Sequence, residues 1–460
     1  MGKLKQLFGS IDRDTILFFF KINCYGFGSM AFWSAINTVL LPARAASTAP
    51  SSLEGSAIGL ISMVGLGLAV IVQPLAGRMS DAWRRSDPRR PFMLAGTVLV
   101  VPGIVLFGAA PTFVLLLAGF VLMQCATNIA QAAFQAFIPD HVEPDQRGIA
   151  SGAKNVLTVV GAAAGLLGAQ GLTALGAPEA IVLGYLGGII VLTGILSLVW
   201  VPRTSPDEDG ASMAAAMSLR ALWRESLDTL REHVTFRWAV LAQFLFMLGI
   251  YPAQRFLLIF LRDRFGHGAE RWVSVGAVLA ILLAIVVAAG AGALSDAVGR
   301  KPVLMIAAAL GSAGLVLIGF SLTLMLVAVA GALIAVGFGS FLAVNWALMN
   351  DDLPEGQAAS SLGVANIATA GAGALAGVYG PIVDVLNSIM PQGTYQVTFG
   401  LAGITAALSI VALRRVNDGR AQTSPAGDSG QETNRQSPCA GSRPSTPAQT
   451  SYCENNHRRR

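Results

Sequence analysis

This sequence has little charge for its length. Only 12% of its 460 residues are Asp, Glu, Lys or Arg, and 54% are hydrophobic, whereas soluble domains carry about 25% charged residues. Length alone would suggest two soluble domains, but so few charges do not suit surfaces that face water. The composition therefore excludes an ordinary soluble protein and predicts a membrane protein.

Cysteine is also scarce, with four residues in the whole chain. Cys24 and Cys125 lie in apolar stretches, while Cys439 and Cys453 lie in a polar tail. Such scattered positions cannot build the disulfide framework of a small secreted protein, so the redox compartment stays open. The start of the chain lacks a small-residue cleavage site, and we expect it to be a cytoplasmic tail rather than a signal peptide.

Groups that could perform chemistry are missing from the apolar stretches. The four histidines fall in predicted loops or tails, no metal-ligand spacing occurs, and no glycine-rich phosphate loop is present. Catalysis would need convergent His, Asp, Glu or Cys, or a metal cluster. We therefore expect neither an enzyme nor an ATP-driven pump, with no cofactor and no metal. The net charge of +5 comes from loop arginines, so no nucleic-acid partner is expected.

The apolar stretches themselves are long enough to cross a bilayer, which takes about 20 residues. The sequence predicts twelve spans, numbered in chain order: 16–41, 56–76, 92–110, 112–138, 149–172, 179–201, 238–261, 272–292, 303–321, 323–348, 358–385 and 395–413. The predicted fold is therefore an all-α polytopic membrane protein.

Basic residues are concentrated in alternate loops. The loops that follow even-numbered spans hold Arg78, Arg84, Arg85, Arg89, Arg90, Arg203, Arg220, Arg224, Arg231, Arg300 and Lys301. The loops that follow odd-numbered spans hold chiefly Arg44, Arg262, Arg264 and Arg271. Because cytoplasmic loops carry the excess of Lys and Arg, we expect a multi-pass protein of the plasma or inner cell membrane with both termini in the cytoplasm.

The remaining segments divide the chain. Residues 1–15 form the predicted cytoplasmic tail, and residues 203–236 form a charged cytoplasmic linker between bundles of six spans at 16–202 and 237–416. Within the linker, "SLRALWRESLDTLREHV" has leucines at helical spacing and predicts an amphipathic helix at the membrane surface. Residues 417–460 are rich in Ser, Thr, Pro, Gly, Gln and Asn, which predicts a disordered cytoplasmic tail.

The two bundles share sequence motifs. "GRMSDAWRRSDPRRP" at 77–91 is echoed by "GALSDAVGRKP" at 292–302, and "FIPDHVEPDQRGIASGAKN" at 137–155 is echoed by "LMNDDLPEGQAASSLGVAN" at 348–366. Both echoes come about 210 residues later, so one unit of six spans occurs twice in two pseudo-symmetric bundles. Parallel repeats of this kind are typical of transporters, whose binding site lies at the repeat interface.

The motif "GALSDAVGRKP" resembles the loop signature of the major facilitator superfamily. A looser copy comprises Gly77, Ser80, Asp81, Arg89, Arg90 and Pro91, and the resemblance covers residues 14–416. The forms "RRPFML" and "RGIASG" are similar to those of sucrose and glycoside symporters. The resemblance implies a secondary transporter that moves a small solute across the lipid bilayer by alternating access, here a sugar or glycoside symporter. A drug or metabolite exporter is the alternative; a polytopic membrane enzyme and a non-transporting sensor are less favoured.

The charged motifs have two interpretations. An aspartate at a span end can accept hydrogen bonds from amides at a neighbouring helix start and pair with arginines, which would hold the bundles together on the cytoplasmic side. The resemblance implies this gating role for Asp81, Arg89, Arg90, Asp296, Arg300 and Lys301. The alternative is that the basic residues only fix the topology, which leaves the aspartates unexplained.

Polar residues inside spans are costly and point to a substrate cavity. Span 4 carries Gln124, Asn128, Gln131 and Gln135, which share one helix face. They could line a cavity or bond neighbouring helices. Further cavity candidates lie in four other spans: Trp33 and Asn37; Lys154 and Asn155; Tyr251, Gln254 and Arg255; and Phe341, Asn345 and Trp346. Amides opposite aromatic rings suit a polyhydroxylated or amphipathic solute.

One of these positions has two competing explanations, and the ion that would drive transport is open. Arg255 could bind an anionic or hydroxylated substrate or could extend to the outer interface, and Asp384 marks the outer end of span 11. No His, Asp or Glu lies near the middle of any span, so no proton or sodium site is evident and a coupling cation stays an open partner. Span 4 has Val121 where the family often has arginine, and span 5 lacks the Gly-Pro pair typical of drug–proton antiporters. We expect a monomer.

Overall fold

A computed structural model describes residues 12–81, 87, 89–143, 146–203, 224, 227–228, 230–266, 268–351, 358–391 and 393–416. Every regular element in these ranges is a helix, which confirms the all-α fold. The predicted tail at 417–460, most of the predicted linker helix and the side chain of Asp81 lie outside the described residues.

The first bundle consists of spans 1 to 6. Span 1 is built from Arg13–Ile22, Cys24–Ala35, a π-helical turn at Ile36–Leu40 and Leu41–Thr48. The next five spans are single helices: Glu54–Asp81, Arg90–Ala109, Phe113–His141, Arg147–Ala174 and Glu179–Trp200.

The second bundle consists of spans 7 to 12. Its first four spans are Val234–Phe265, Ala269–Val298, Arg300–Gly319 and Leu324–Asp351. Span 11 is built from Ala358–Leu375, a 3-10 turn at Ala376–Val378 and Tyr379–Ile389, and span 12 is Thr394–Arg414. Within the described ranges, eleven helices are long and apolar enough to cross a bilayer, and the bent helix pair of span 1 makes twelve.

Most helices run a few residues beyond the predicted spans. Span 8 ends at Val298 instead of residue 292, and span 1 ends at Thr48 instead of residue 41. The reason is that hydropathy marks where the apolar run stops, whereas a helix continues as long as its backbone hydrogen bonds are satisfied.

Span 1 is broken near its start, where its two parts meet at an angle of 42°. The buried side chain of Asn23 donates from Nδ2 to the carbonyl oxygens of Phe19, at 2.9 Å, and of Ala150 on span 5, at 3.1 Å. A side-chain amide that bonds backbone carbonyls in this way replaces hydrogen bonds of the regular helix. The bend therefore has a polar cause and is tied to span 5.

The two bundles repeat the same helix packing. In the first bundle span 3 packs on span 4, span 1 on spans 5 and 6, span 2 on span 4, and span 3 on span 6. The second bundle has the equivalent contacts: span 9 on span 10, span 7 on spans 11 and 12, span 8 on span 10, and span 9 on span 12. The repeat inferred from the motifs is thus a repeat of structure.

Candidate functional site

Both copies of the first echoed motif close with a basic pair before a proline, and the first residue of that pair occupies the same position in both bundles. Arg89 donates from Nη1 to the hydroxyl of Ser80 at 3.1 Å, and Arg300 donates from Nη1 to the hydroxyl of Ser295 at 2.6 Å. Both serines are fully buried. Arg89 also pairs with Asp140 at the end of span 4, with Nε 2.8 Å from Oδ2. These contacts hold the short loop against its own bundle.

The second residue of each basic pair bonds the end of the last span of its bundle. Arg90 donates from Nη2 to the carbonyl oxygen of Val201, just after span 6, at 3.3 Å. Lys301 donates from Nζ to the carbonyl oxygens of Arg414 and Val416, at the end of span 12, at 2.8 and 2.9 Å. A cation at a helix C-terminus satisfies free carbonyls and complements the helix dipole. We call the end of the molecule that carries these residues the basic end.

The glycine of the second motif has a backbone role. Gly299 separates spans 8 and 9 and has φ +97° and ψ 154°, a conformation that a residue with a side chain rarely adopts. This residue lets Asp296 on span 8 and Arg300 on span 9 pair at 2.7 Å. Asp296 and Arg300 therefore contact each other in this structure, and the latch between the bundles remains a prediction.

The two bundles meet at the opposite end, which carries residues 51–59 and 377–389. Spans 2 and 11 cross there through glycines, because a Cβ on Gly59 would lie 2.1 Å from the carbonyl oxygen of Gly377 and a Cβ on Gly380 would lie 2.1 Å from that of Gly55. Atoms cannot approach so closely, so only glycine permits this contact. Small residues four apart are the usual means of close helix approach in membranes.

Asp384 adds a polar contact at the same place. Its Oδ1 accepts from the backbone N–H of Gly55 at 2.8 Å and its Oδ2 accepts from that of Ser56 at 2.6 Å. These amides belong to the first turn of span 2, where N–H groups have no helical partner and the dipole favours negative charge. Asp384 thus fastens the second bundle to the first. We call this contact the Asp384 clamp.

Two further contacts join the bundles. Gln170 near the end of span 5 accepts through Oε1 from the hydroxyl of Ser274 near the start of span 8, at 3.5 Å. The π-helical turn Ile36–Leu40 contacts spans 7 and 8. A π turn inside a span is uncommon and is frequent at functional sites, and this one contains Asn37.

Towards the basic end, span 2 has open space beside it. A Cβ on Gly67 or Gly77 would meet no described atom within 4 Å, in contrast to Gly55 and Gly59. Gly152 on span 5 and Gly292 on span 8 are equally open. Span 2 is therefore packed tightly against span 11 at Gly55 and Gly59, whereas the described residues leave open space beside Gly67 and Gly77.

The four amides on the polar face of span 4 have different surroundings. Asn128 is buried and donates from Nδ2 to the carbonyl oxygen of Gln124 at 2.8 Å and to its Oε1 at 3.2 Å. Gln131 is half-buried and Gln135 is exposed. Gln124 packs beside Gly65 of span 2. The first two amides thus bond within their own helix, while the other two are open to contact a solute.

The candidates on span 10 are mainly structural in this conformation. Phe341 is fully buried and stacks on Phe246, with ring centroids 4.2 Å apart. Asn345 donates from Nδ2 to Oε1 of Gln243 at 2.9 Å, and Gln243 donates from Nε2 to the hydroxyl of Thr369 at 2.6 Å. This network joins spans 10, 7 and 11. The sequence analysis missed Gln243, although a glutamine inside span 7 is itself a costly polar residue.

Four further candidates differ in burial: the two tryptophans are half-buried and the two amides are exposed. Half-buried Trp33 contacts Phe120 on span 4, with centroids 5.6 Å apart, and half-buried Trp346 packs on the core of the second bundle. Asn155 and Gln254 are exposed.

Two of the cations inside the spans lie over an aromatic ring. Nζ of Lys154 is 4.9 Å from the centroid of Phe134, and Cζ of Arg255 is 5.6 Å from the centroid of Tyr251. Arg255 is only 7% exposed. It therefore does not extend to an interface, as a snorkelling arginine would.

The chain matches one family model, and several solved structures share its fold. The family model described as Major Facilitator Superfamily matches residues 22–378, and no curated protein matches the chain. Among solved structures, a mutant of the nucleoside transporter NupG is 16% identical with a TM-score of 0.68, covering 86% of this chain and 99% of its own.

Two other solved structures are similar. A bacterial homologue of the human lysosomal transporter Spinster, described as inward-facing and unoccupied, is 14% identical with a TM-score of 0.64, covering 89% of this chain and 98% of its own. The human organic anion transporter MFSD10 (TETRAN) is 15% identical with a TM-score of 0.58, covering 88% of this chain and 100% of its own. At these identities the similarity shows the fold.

Proposed function

This chain belongs to the Major Facilitator Superfamily, and from that we propose that it is a secondary transporter, which moves a small solute across the bilayer by alternating access. The observation that carries the proposal is the asymmetric contact between two equivalent bundles. They are fastened at one end by the glycine crossing and the Asp384 clamp, while span 2 is open towards the other end. This is the arrangement expected of one of two alternative states.

The basic end is the cytoplasmic end in this proposal, since positively charged loops stay in the cytoplasm. Both termini are then cytoplasmic, and the structure corresponds to a state closed to the outside. The similar Spinster homologue is described as inward-facing, which supports the same assignment. Opening to the outside would break the Asp384 clamp and bring the motifs of Asp81 and Asp296 into the predicted cytoplasmic latch.

The solute is small and enters between the bundles. The motif resemblance favours a sugar or a glycoside taken up by symport, and Gln131 and Gln135 supply open amides for hydroxyl groups. None of the similar structures named above is described as a sugar transporter; their described substrates are nucleosides and organic anions. One chain supplies both bundles, which supports a monomer as the working unit.

Counterflow in proteoliposomes tests the proposal without knowledge of the coupling ion. Vesicles loaded with unlabelled sucrose, phenyl glucoside, uridine or 4-aminobenzoate are diluted into the labelled form of the same compound. We expect transient accumulation of at least one of them. Repeating the assay under proton and sodium gradients identifies the coupling.

A crosslink separates movement of the bundles from binding. At the end opposite the basic end, which we call the closed end, the turn Ser51–Leu53 contacts the helix Tyr379–Ile389. Ser52→Cys with Asn387→Cys, joined by a short bismaleimide, should therefore stop counterflow. Ser52→Cys alone, treated with the same reagent, is the control. Solutes that bind the protein but show no counterflow would indicate a sensor and contradict the proposal.

A further inference from the structure

A buried guanidinium on span 7 has no acidic partner among the described residues. Arg255 is 7% exposed, and its Nη1 is enclosed with no hydrogen-bond partner among the described residues. A buried charge is costly unless it is paired and hydrogen-bonded. The ring of Tyr251 one turn away offsets part of that cost by a cation–π contact, but it cannot accept the guanidinium's several N–H bonds.

The position of this pair is where a solute would have to bind. Arg255 lies ten residues before the end of span 7 at Phe265, which is about 15 Å along a helix. The Tyr251 ring lies 3.2 Å from where a Cβ on Gly373 of span 11 would stand, and Leu66 of span 2 lies beside the same glycine. Arg255 therefore sits near the meeting of spans 2, 7 and 11, on the inner side of the closed end.

The charges of the other spans agree in sign. The twelve predicted spans contain three cations, Lys21, Lys154 and Arg255, and only two acids, Glu179 and Asp384. Glu179 begins span 6 and pairs with Arg44, and Asp384 is engaged in the clamp. The interior of the bundles thus carries positive charge with no carboxylate near its middle.

We infer that Arg255 and Tyr251 form an anion-binding site and that the transported solute is a small organic anion. The guanidinium presents paired N–H groups that match a carboxylate or a phosphate, and the neighbouring ring suits an apolar or aromatic part of the same solute. Bound anion would supply the hydrogen-bond partner that the described residues do not provide. This inference rests on the proposed transport function and names an organic anion as its substrate class in place of the neutral sugar that the motif resemblance favours.

The test uses pairs of probes that differ only in the anionic group. We propose 4-aminobenzoate with 4-aminobenzamide, and uridine monophosphate with uridine, each added to the purified full-length protein while its thermal unfolding is followed. A ligand that favours the folded state raises the apparent Tm. We expect a carboxylate or phosphate member to raise the Tm, and its neutral partner to have little effect.

Three variants locate the effect. Arg255→Gln should weaken the stabilising anion by about 10- to 100-fold, as expected for loss of hydrogen bonds to a charged group, while its Tm without ligand should be unchanged or higher because an unpaired buried charge has gone. Arg264→Gln removes an exposed charge from the same helix and should bind the anion as the wild type does. Arg255→Lys should bind with intermediate affinity.

The outcomes separate this inference from the transport function. Equal stabilisation by charged and neutral members, no stabilisation by any anion, or undiminished anion binding in Arg255→Gln would each overturn the anion site. A lower Tm of ligand-free Arg255→Gln would also count against it, since that would show a structural role. Counterflow of a neutral solute would leave the transporter proposal intact and remove only the anion site.

Discussion

The Asp384 clamp can be broken by a single change that barely alters side-chain size. Asp384→Asn keeps one acceptor oxygen and loses the negative charge and the second acceptor. Of the two bonds to Gly55 and Ser56, at 2.8 and 2.6 Å, one is lost and the other becomes a neutral hydrogen bond. We expect the closed state to be destabilised relative to the state that is open at this end.

The magnitude follows from the geometry. A hydrogen bond to a charged group contributes about 1.5–3 kcal/mol and a neutral one about 0.5–1.5 kcal/mol, and a charge at a helix N-terminus adds about 0.3–1 kcal/mol. Because Asp384 is half-buried, values near the lower limits apply. The loss is then about 2.8 kcal/mol, which shifts the equilibrium between the states by about 100-fold.

Cysteine accessibility measures this shift. Leu66→Cys, in a background without Cys125, Cys439 and Cys453, places a thiol beside Gly373 at the closed end. An impermeant maleimide added on the side opposite the basic end reacts only when the bundles separate there. We expect Asp384→Asn to raise the labelling rate about 100-fold, because the rate follows the population of the rare open state.

The control removes a charge at the same end without removing a hydrogen bond between the bundles. Asp263 accepts a hydrogen bond from Tyr395 within the second bundle, so Asp263→Asn should leave the labelling rate nearly unchanged. An unchanged rate in Asp384→Asn would refute the clamp. An equal increase in both variants would show that net charge at this end, rather than the bonds to span 2, sets the equilibrium.

Three further changes test other parts of the structure. Gly59→Val should prevent closure, since its Cβ would lie 2.1 Å from the carbonyl oxygen of Gly377, and should speed labelling of the same cysteine; Gly67→Val, which faces open space, should not. Asp296→Asn should raise reactivity of Gly152→Cys from the basic side by about fivefold if a latch contribution of about 1 kcal/mol is lost; unchanged reactivity with unchanged transport would reject the latch. Asn128→Leu should lower the free energy of unfolding by about 1 kcal/mol with ligand affinity kept, and weakened binding in a fully stable Asn128→Leu would place its amide in the substrate site instead.

The fold could be predicted because the bilayer imposes a length on each element. Twelve apolar runs of the right length, and two motifs that recur about 210 residues apart, were enough for the helix count and the repeat. The break at Asn23 and the π turn at Ile36–Leu40 could not be predicted from hydropathy, because both interrupt the regular α-helix inside a stretch whose average hydropathy predicts one continuous span.

The contacts between bundles were harder to predict because their partners are backbone atoms. Asp384 bonds two amides and Gly59 approaches a carbonyl oxygen, and neither partner is marked by its residue type. The spacing of Gly55 with Gly59, and of Gly373 with Gly377, was a usable signal for close helix approach. It indicates that an interface exists without identifying the helix on the other side.

The polar face of span 4 illustrates a second limit. Helical spacing places Gln124, Asn128, Gln131 and Gln135 on one face, but it cannot tell whether an amide bonds its own helix or a solute. The first pair satisfies itself locally, which depends on rotamers rather than on spacing. Arg255 is the converse case: the sequence left two roles open, and burial of the guanidinium removes the role of an interfacial anchor.

Distances across both ends of the same protein test alternating access most directly. Spin labels at Ser52 and Asn387 report the closed end, and labels at exposed Met79 and Leu294 report the basic end, each pair in the wild-type background in lipid nanodiscs. We expect two populations at each end, with Gly59→Val lengthening the first distance and shortening the second. A single distance at either end in every variant, or two ends that lengthen together, would contradict a transporter that opens to one side at a time.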